Sequence, residues 1–513
     1  TIKFSTDMNP PAGTVNPYSE NNWDGSIYIN NIILSGRDNN AGAGAYGLQL
    51  EGDLRGFEFI NNSSITGTLT GRSGGSYGIY NDSDSIRSLT NKGSIIGTVT
   101  GSASESYGIR NESGTITTLA NNGLIIGVYR GDMANSGGIY NESGTIESLV
   151  NSGSLTGMSI GSSGYGIYNK SGTIESLANS GSIEGRTTTE VAIGIGNLGT
   201  ITELTNNGSI KGTAVSDKGY GIQNTDTITK LVNNGSVKGT AAGNLSYGIY
   251  NQYHRSNSEI GHISNLGVIY GSASAIKNDA STTIGSLNNY GILATKGDSP
   301  IKNDGTITLT VNYGLEIAEA TGIVSNGSNY NPMGPPIYVI VGYDENGDPI
   351  KRNMTIKNAN IQGGGSGSGT STDSFTFSGA PNEFDNLILN GKNETLKVTG
   401  TDKEVKGSII NAYGTAVAFE GADGQLTLSG TTVNGGTDEA NNITVSGSDN
   451  GDTLILQSGE VEYAGGGKGT QNTIINGNID MKAGDDTLTL AKDEKQSTTR
   501  ETADQRNRLR TKC

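Results

Sequence analysis

Cysteine, proline, tryptophan, histidine and charge are all scarce in this chain of 513 residues. Its one cysteine, Cys513, is the last residue, so no intrachain disulfide framework and no cysteine-built zinc site can form. Nine prolines and the lack of a Gly-X-Y period exclude a collagen triple helix, although glycine reaches 80 residues. Charged residues are only 16% and unbalanced, 34 Lys and Arg against 50 Asp and Glu, for a net charge of −16. A chain of that sign repels nucleic acid and anionic lipid, so neither is an expected partner. The strongest apolar run, Ile337 to Val341, is far too short to span a membrane as a helix. The chain starts at Thr1 without a charged n-region or an apolar h-region, which reads as a processed or partial chain. With 32% hydrophobic residues, an ordinary α/β enzyme of this length is a poor fit.

What is abundant is Asn, Ser, Thr and Gly, with Ile, Leu and Val at fixed intervals. One phrase returns as Tyr77-Gly78-Ile79-Tyr80-Asn81, Tyr107 to Asn111, Tyr165 to Asn169, Tyr220 to Asn224 and Tyr247 to Asn251, with variants between. Its closing residues are Asn81, Asn111, Asn141, Asn169, Asn197, Asn224, Asn251 and Asn278, spaced by 30, 30, 28, 28, 27, 27 and 27. Two further phrases share the period: Thr-Ile-x-x-Leu-x-Asn, as at Ile116, Leu119 and Asn121, and Gly-x-φ-x-Gly, as at Gly123 to Gly127, φ being Ile, Leu or Val. Three short strands per coil of about 27–30 residues, each with an inward aliphatic side chain, describe an all-β fold, a right-handed parallel β-helix. Each buried Asn is expected to donate to the same Asn of one neighbouring coil and accept from the other. Glycine at the coil corners reads as a source of positive φ. The recurring tyrosines, being in register, read mainly as a stacking feature.

Past Asn303 the register loosens. The chain divides into an N-terminal segment or cap (1–44), regular solenoid repeats (45–326), an inserted hairpin and Gly/Ser loop (327–370), a less regular solenoid (371–490) and a tail (491–513). The hairpin is read in Ile337 to Tyr343 followed by Asn346-Gly347. The tail, rich in Lys and Arg, reads as helical or disordered.

At these phrases the sequence resembles the passenger domains of bacterial type V autotransporters, the Campylobacter-type autotransporter adhesins in particular. The resemblance covers about 45–490. Ile474-Ile475-Asn476-Gly477-Asn478-Ile479 and Gly484-Asp485-Asp486-Thr487-Leu488 are similar to the end of such a passenger. It implies export, display at the bacterial cell surface or secretion, anchoring through a C-terminal β-barrel translocator, and attachment to a host-cell surface protein or glycan. No barrel strands are read after residue 490, so the chain reads as an isolated or truncated passenger.

Enzyme-like motifs have plainer readings. Gly297-Asp298-Ser299-Pro300 resembles a protease nucleophile loop, but it falls where the next coil phrase is due. Gly71-Arg72-Ser73-Gly74-Gly75 lacks the strand-turn-helix context of a nucleophile elbow. The two histidines, His254 and His262, read as members of one lengthened connector. Asp449, Asp452, Asp485 and Asp486 make two partial copies of a calcium repeat, 34 residues apart, too far for neighbouring coils of the expected length. No catalytic residue, cofactor or metal is therefore expected. Candidate binding residues are Tyr330, Tyr338 and Tyr343 around the hairpin, and Arg130-Gly131-Asp132, which resembles an integrin ligand, in a connector. The expected function is an adhesin. A carbohydrate-active enzyme on the same fold and a structural spacer are the alternatives.

Overall fold

The three phrases of each period form three strands, such as Glu105–Asn111, Thr115–Asn121 and Leu124–Tyr129. Each pairs in parallel with its own copy one coil away: Asn111 with Asn141, Ile116 with Ile146, Gly127 with Gly157. The protein is all-β, a parallel β-solenoid whose three walls are these stacked strands. The structure, a computed structural model, describes residues 2–4, 27–38, 44–71, 74–101, 105–131, 134–243, 245–254, 258–321, 323–325, 337–359, 374–377, 383–421, 423–437, 442–491 and 499–502.

Ile109, Ile116, Leu119 and Ile125 point inward and are fully buried, and their equivalents in neighbouring coils continue one aliphatic core. Two asparagine ladders line its corners. In the first, Asn81, Asn111, Asn141, Asn169, Asn197, Asn224, Asn251 and Asn278 each donate from Nδ2 to Oδ1 of the next, ending on Asn303, at 2.7–2.9 Å. The second runs from Asn30 through Asn61, Asn91 and Asn121 to Asn289 and Asn312. Remaining capacity goes to the main chain: Asn169 Nδ2 also reaches Gly172 O at 3.0 Å and Thr200 O at 3.2 Å. A buried amide so fully bonded escapes the cost of desolvation.

The corner glycines do something other than expected. Gly93, Gly123, Gly153, Gly181, Gly208 and Gly235 are not among the positive-φ residues. They are required because a Cβ there would overlap a backbone carbonyl of the coil before, as Gly181 would overlap Gly153 O. Close stacking, not left-handed backbone, selects glycine at these corners.

The strands begin earlier than the repeats suggest. Ile27–Asn30 and Leu34–Asp38 already stack in parallel on 58–61 and 65–69. The long solenoid ends at Leu315–Ala318, where 323–325 pairs antiparallel. The hairpin joins Ile337–Tyr343 to Pro349–Asn358. It is not a separate insertion, because its second strand continues into parallel pairing of 355–358 with 387–390. That strand opens a second, shorter solenoid with its own core of Leu389, Leu396, Val405 and Leu426. Its coils are tighter, 21 residues from Asn390 to Asn411 and 23 from Asn411 to Asn434. In the tail, Thr499–Thr502 pairs antiparallel with Thr487–Leu490 rather than forming a helix. The other tail residues past Ala491 lie outside the described residues.

The short solenoid turns back along the long one. Asn390, Asn411, Asn434 and Asn476 form a third ladder. Their second N–H groups reach across to Tyr313 O, Tyr290 O, Leu266 O and Asn234 O at 2.8–2.9 Å. The acceptor numbers fall as the donor numbers rise, so the two solenoids run antiparallel, rung against rung. Apolar side chains seal this seam: Val232, Leu266 and Tyr290 of the long solenoid meet Val339, Met354, Ile388 and Ile409. Arg352, 1% exposed, ties the hairpin to a second one, Gly459–Glu462 with Lys468–Gln471. It donates to Gln471 Oε1 at 2.7 Å and to Asn386 Oδ1 and Gly407 O at 2.5 Å. Burial lowers its pKa to about 10.

Candidate binding surfaces

Period-two alternation decides the fate of the hairpin tyrosines. Ile337, Val339, Val341 and Tyr343 share the face that packs on the long solenoid. Tyr343 is therefore a seam residue rather than a free recognition residue. Lys230 Nζ lies 4.5 Å from its ring centroid, and burial raises its hydroxyl to a pKa of about 12. Tyr338 points the other way and is 60% exposed, with Lys351 Nζ at 6.0 Å from its ring. Even the hairpin's outer edge is occupied: Ser264 Oγ donates to Ile340 O at 2.6 Å and Tyr290 OH to Tyr338 O at 3.3 Å. Tyr330 lies outside the described residues. In the other connector the Arg130 N–H is bonded to Val99 O at 3.0 Å and its side chain is exposed. Gly131 follows at the end of the described stretch, and Asp132 lies outside it.

The repeated tyrosines stack outside the first wall. Tyr107 and Tyr140 lie 4.5 Å apart between ring centroids, and Tyr165 and Tyr168 4.4 Å. Arg110 takes one tyrosine's place in this stripe. It pairs with Glu105, with Glu112 at 2.5 Å and with Glu142 at 2.7 Å, and lies over the rings of Tyr77 and Tyr140. The stripe is largely self-satisfied: Tyr77, Tyr107 and Tyr140 are buried.

Motifs that resemble catalytic or metal sites are used by the fold. Ile301 and Asn303 pair with Ile276 and Asn278, so the Ser299 segment is the next coil phrase, and Ser299 Oγ donates to Ile301 O at 2.8 Å. His262 lies on the strand Glu259–Asn265 rather than in the connector with His254. Its Nδ1 is 2.8 Å from Ser286 Oγ, its register partner one coil on, and its partner one coil back is Lys230, not a carboxylate. Asp452 is buried and accepts from Ser448 N at 2.6 Å and Gly424 N at 3.1 Å, while Asp486 accepts from Asp452 N at 2.9 Å. Contrary to the expectation from their spacing, Asp452 and Asp486 do lie on adjacent coils, since Thr453 pairs with Thr487, and the 34-residue coil between them accommodates the second hairpin; these carboxylates cap the turns of the short solenoid. Ser73 lies outside the described residues.

One open feature was not anticipated. Where the last coils of the short solenoid lie beside the third wall of the long one, a groove of about 550 Å³ remains. Ser182, Ser209 and Ser236 line it from successive coils, with Lys211 and Lys238 beside them, and Asn442 and Asn478 face them. A smaller cleft of about 200 Å³ lies between Asn207, Asn234 and the second hairpin. The sequence carries a signal for the docking that creates both. The residue after each second-ladder Asn is Asn31, Asn62, Lys92, Asn122, Ser152, Ser180, Asn207 and Asn234, then Leu266, Tyr290 and Tyr313. On the third wall, Ser182, Ser209 and Ser236 give way to Val268, Ile292 and Leu315, against which Tyr413 packs. Outward columns turn apolar where the second solenoid lands. No protein-family model, no curated protein and no solved structure matches the chain.

Proposed function

We propose that this chain is a surface-exposed adhesin passenger that attaches to host-cell protein or glycan through the side faces of its paired solenoids. The observation that carries the reading is the seam. It joins two stacks, rung for rung, into a rigid body with an open polar groove alongside. A scaffold rigid before binding loses little conformational freedom on association. Concave sites with converging polar groups are where ligands seat. Tyr338 adds an exposed aromatic ring on the hairpin beside the seam. The reading carries with it export and a β-barrel translocator in the full-length protein. Its test is the attachment of labelled chain to cultured epithelial cells. Saturable binding, competed by unlabelled chain and lost on unfolding, is expected. Binding no greater than that of an unrelated acidic protein of similar size would overturn it and leave a structural spacer.

A further inference from the structure

We infer that the smaller cleft, between the long solenoid and the second hairpin, is a binding site for one neutral pyranose ring, held against Tyr463. The inference deepens the adhesin reading and rests on it only for its biological setting. The second hairpin is extra to the coil that carries it. The preceding coils of the short solenoid take 21 and 23 residues, and this one takes 42. An insertion that leaves the rungs in register is where a scaffold carries a recognition feature. Both ends of the insertion are pinned. Arg352 holds its base through Gln471 Oε1 at 2.7 Å, and Ala464 N near its tip donates to Lys351 O at 2.7 Å. The wall of the cleft is thus in place before a ligand arrives, which spares the ordering cost of binding.

The lining combines one aromatic ring with unspent amides. Alternation puts Val461 and Tyr463 on the hairpin face turned to the long solenoid, with Gly469 and Gln471 from the other strand. A Cβ at Gly469 would overlap the Tyr463 ring, so glycine there lets the ring lie across the hairpin. Such a ring is a flat apolar surface with a polar tip, suited to the C–H face of a pyranose. The bonds that the amides already make fix which of their ends are left. A guanidinium only donates, so Arg352 takes Gln471 Oε1 and leaves Nε2 to donate. Asn234 Nδ2 donates to Asn207 Oδ1 at 2.7 Å. That leaves Asn207 Nδ2 as a donor and Asn234 Oδ1, buried without a partner, as an acceptor. The hydroxyls of Thr205 and Thr470 serve as either. Vicinal sugar hydroxyls, each of which gives and accepts a hydrogen bond, match this set.

Charge and size narrow the ligand. Among the described residues, which take in both chain neighbours of each lining residue, no charged side chain lines the cleft. Glu460, Glu462 and Lys468 lie on the hairpin's other face and pair with one another. Arg352 stands behind Gln471 and is not part of the lining. A carboxylate or ammonium seated here would lose water without gaining a counter-charge, so the occupant is neutral. At about 200 Å³ the cleft falls below the roughly 300–1,000 Å³ of sites for larger ligands, and it holds one ring.

Ligand-observed NMR titration of the full chain with the methyl glycosides of glucose, galactose, mannose and N-acetylglucosamine, and with glucuronate as the charged control, tests this. At least one neutral glycoside should bind saturably, with a Kd of about 1 mM that salt leaves unchanged. Glucuronate should bind at least about tenfold more weakly. Tyr463→Ala should weaken binding by about tenfold or more, and Tyr463→Phe, which keeps the ring, by less than about threefold. Thr205→Trp, on a regular strand of the long solenoid away from the hairpin, should fill the cleft and abolish binding with an unchanged melting temperature. Lys468→Gln, on the far face of the hairpin, should change nothing. No binding of any neutral glycoside, a preference for glucuronate, or unchanged affinity in Tyr463→Ala or Thr205→Trp would each overturn the inference and leave the cleft to ordered water. An oligosaccharide ending in the bound sugar distinguishes the sources: equal affinity marks the end of a glycan chain as the ligand, exclusion marks the free sugar, and both uphold the site. Cell attachment separates the two claims. If Thr205→Trp loses the sugar but still attaches to cells, the cleft stands and adhesion uses another face. If the sugar binds in the cleft but cells are not bound, the adhesin reading falls and the cleft inference stands.

Discussion

The two solenoids turn their corners by different physics. In the long one, two columns of asparagine hold the corners, the glycines beside them are chosen because the preceding coil passes too close for a side chain, and positive φ is confined, among the described residues, to Gly52, Gly56, Gly74, Gly114 and Ser281. In the short one, corners rest on left-handed residues: Asn386, Glu394, Asp402 and Asp423, with Gly400, Gly407, Gly421 and Gly430, all have positive φ. Its single asparagine ladder faces the seam and spends its second N–H groups on the long solenoid. One stack satisfies itself, whereas the other is completed by its neighbour. Local repetition can therefore encode a free-standing coil, while a short, irregular coil borrows bonds across an interface.

The largest expected difference between the two is alkaline. The tyrosines whose hydroxyls burial raises belong to the long solenoid and the seam. Burial raises the hydroxyls of Tyr77, Tyr107, Tyr140 and Tyr165, and those of Tyr80 and Tyr343 to about 12. A group whose folded pKa is raised gives stability that is complete below its unfolded pKa and lost as pH rises through the folded one. Stability should hold to about pH 10 and then fall steeply as several tyrosines contribute together. Denaturation midpoints across that range are the measurement. Tyr80→Phe combined with Tyr343→Phe should flatten the fall, and identical curves would refute the assignment.

Next comes the seam. Tyr290 is 2% exposed among Leu266, Val339 and Ile388. Tyr290→Ala should cost about 3–5 kcal/mol, the range for truncating a large buried aromatic ring. Hydrogen exchange should show the loss in 387–491 and the hairpin, with 105–200 still protected. Equal loss in both stretches would mean that the two solenoids unfold as one unit.

The long solenoid is legible in the sequence because its phrases repeat at nearly constant spacing. Every predicted ladder residue from Asn81 to Asn278 is on its rung. The fold-back is hidden for two reasons. Its ladder residues fall at irregular spacing, 21, 23 and 42, since the Gly459–Gln471 hairpin lies inside the last interval. Its evidence is also a change of residue type within a conserved position of the repeat, from Ser236 to Val268 and from Asn234 to Leu266, which a search for sameness passes over. The covering of Tyr343 could have been read from the alternation of Val339, Val341 and Tyr343. The groove could not, because it exists only between two stacks.

Matched ladder deletions sharpen the contrast. Asn169→Ala strands Asn141 Nδ2 and Asn197 Oδ1 inside the long solenoid. Asn411→Ala strands Asn434 Nδ2, Asn390 Oδ1 and, across the seam, Tyr290 O. Each should cost about 1–3 kcal/mol. Only Asn411→Ala should fail to add with Tyr290→Ala in a double-mutant cycle, since both act on one interface. Lys170→Ala, which removes a half-exposed pair with Glu142 at 2.6 Å, should cost no more than about 1 kcal/mol. Equal losses from Lys170→Ala and Asn169→Ala would remove the ladder's special role.

Substitutions at single corner glycines separate the two kinds of corner most cleanly. Gly181 has no positive φ, yet a Cβ there would overlap Gly153 O and press on Ser152. Gly400 has φ of 79° and no heavy atom within 4 Å of its notional Cβ. Alanine is therefore unfavourable at both sites for opposite reasons: crowding at Gly181, of order 1–3 kcal/mol, and left-handed backbone at Gly400, about 1 kcal/mol. Asparagine tells them apart, because it tolerates the left-handed region but is larger than alanine. Gly400→Asn should regain most of what Gly400→Ala loses. Gly181→Asn should be at least as damaging as Gly181→Ala. Urea midpoints of the four variants decide it, and an asparagine as mild at 181 as at 400 would show that the two solenoids turn their corners alike.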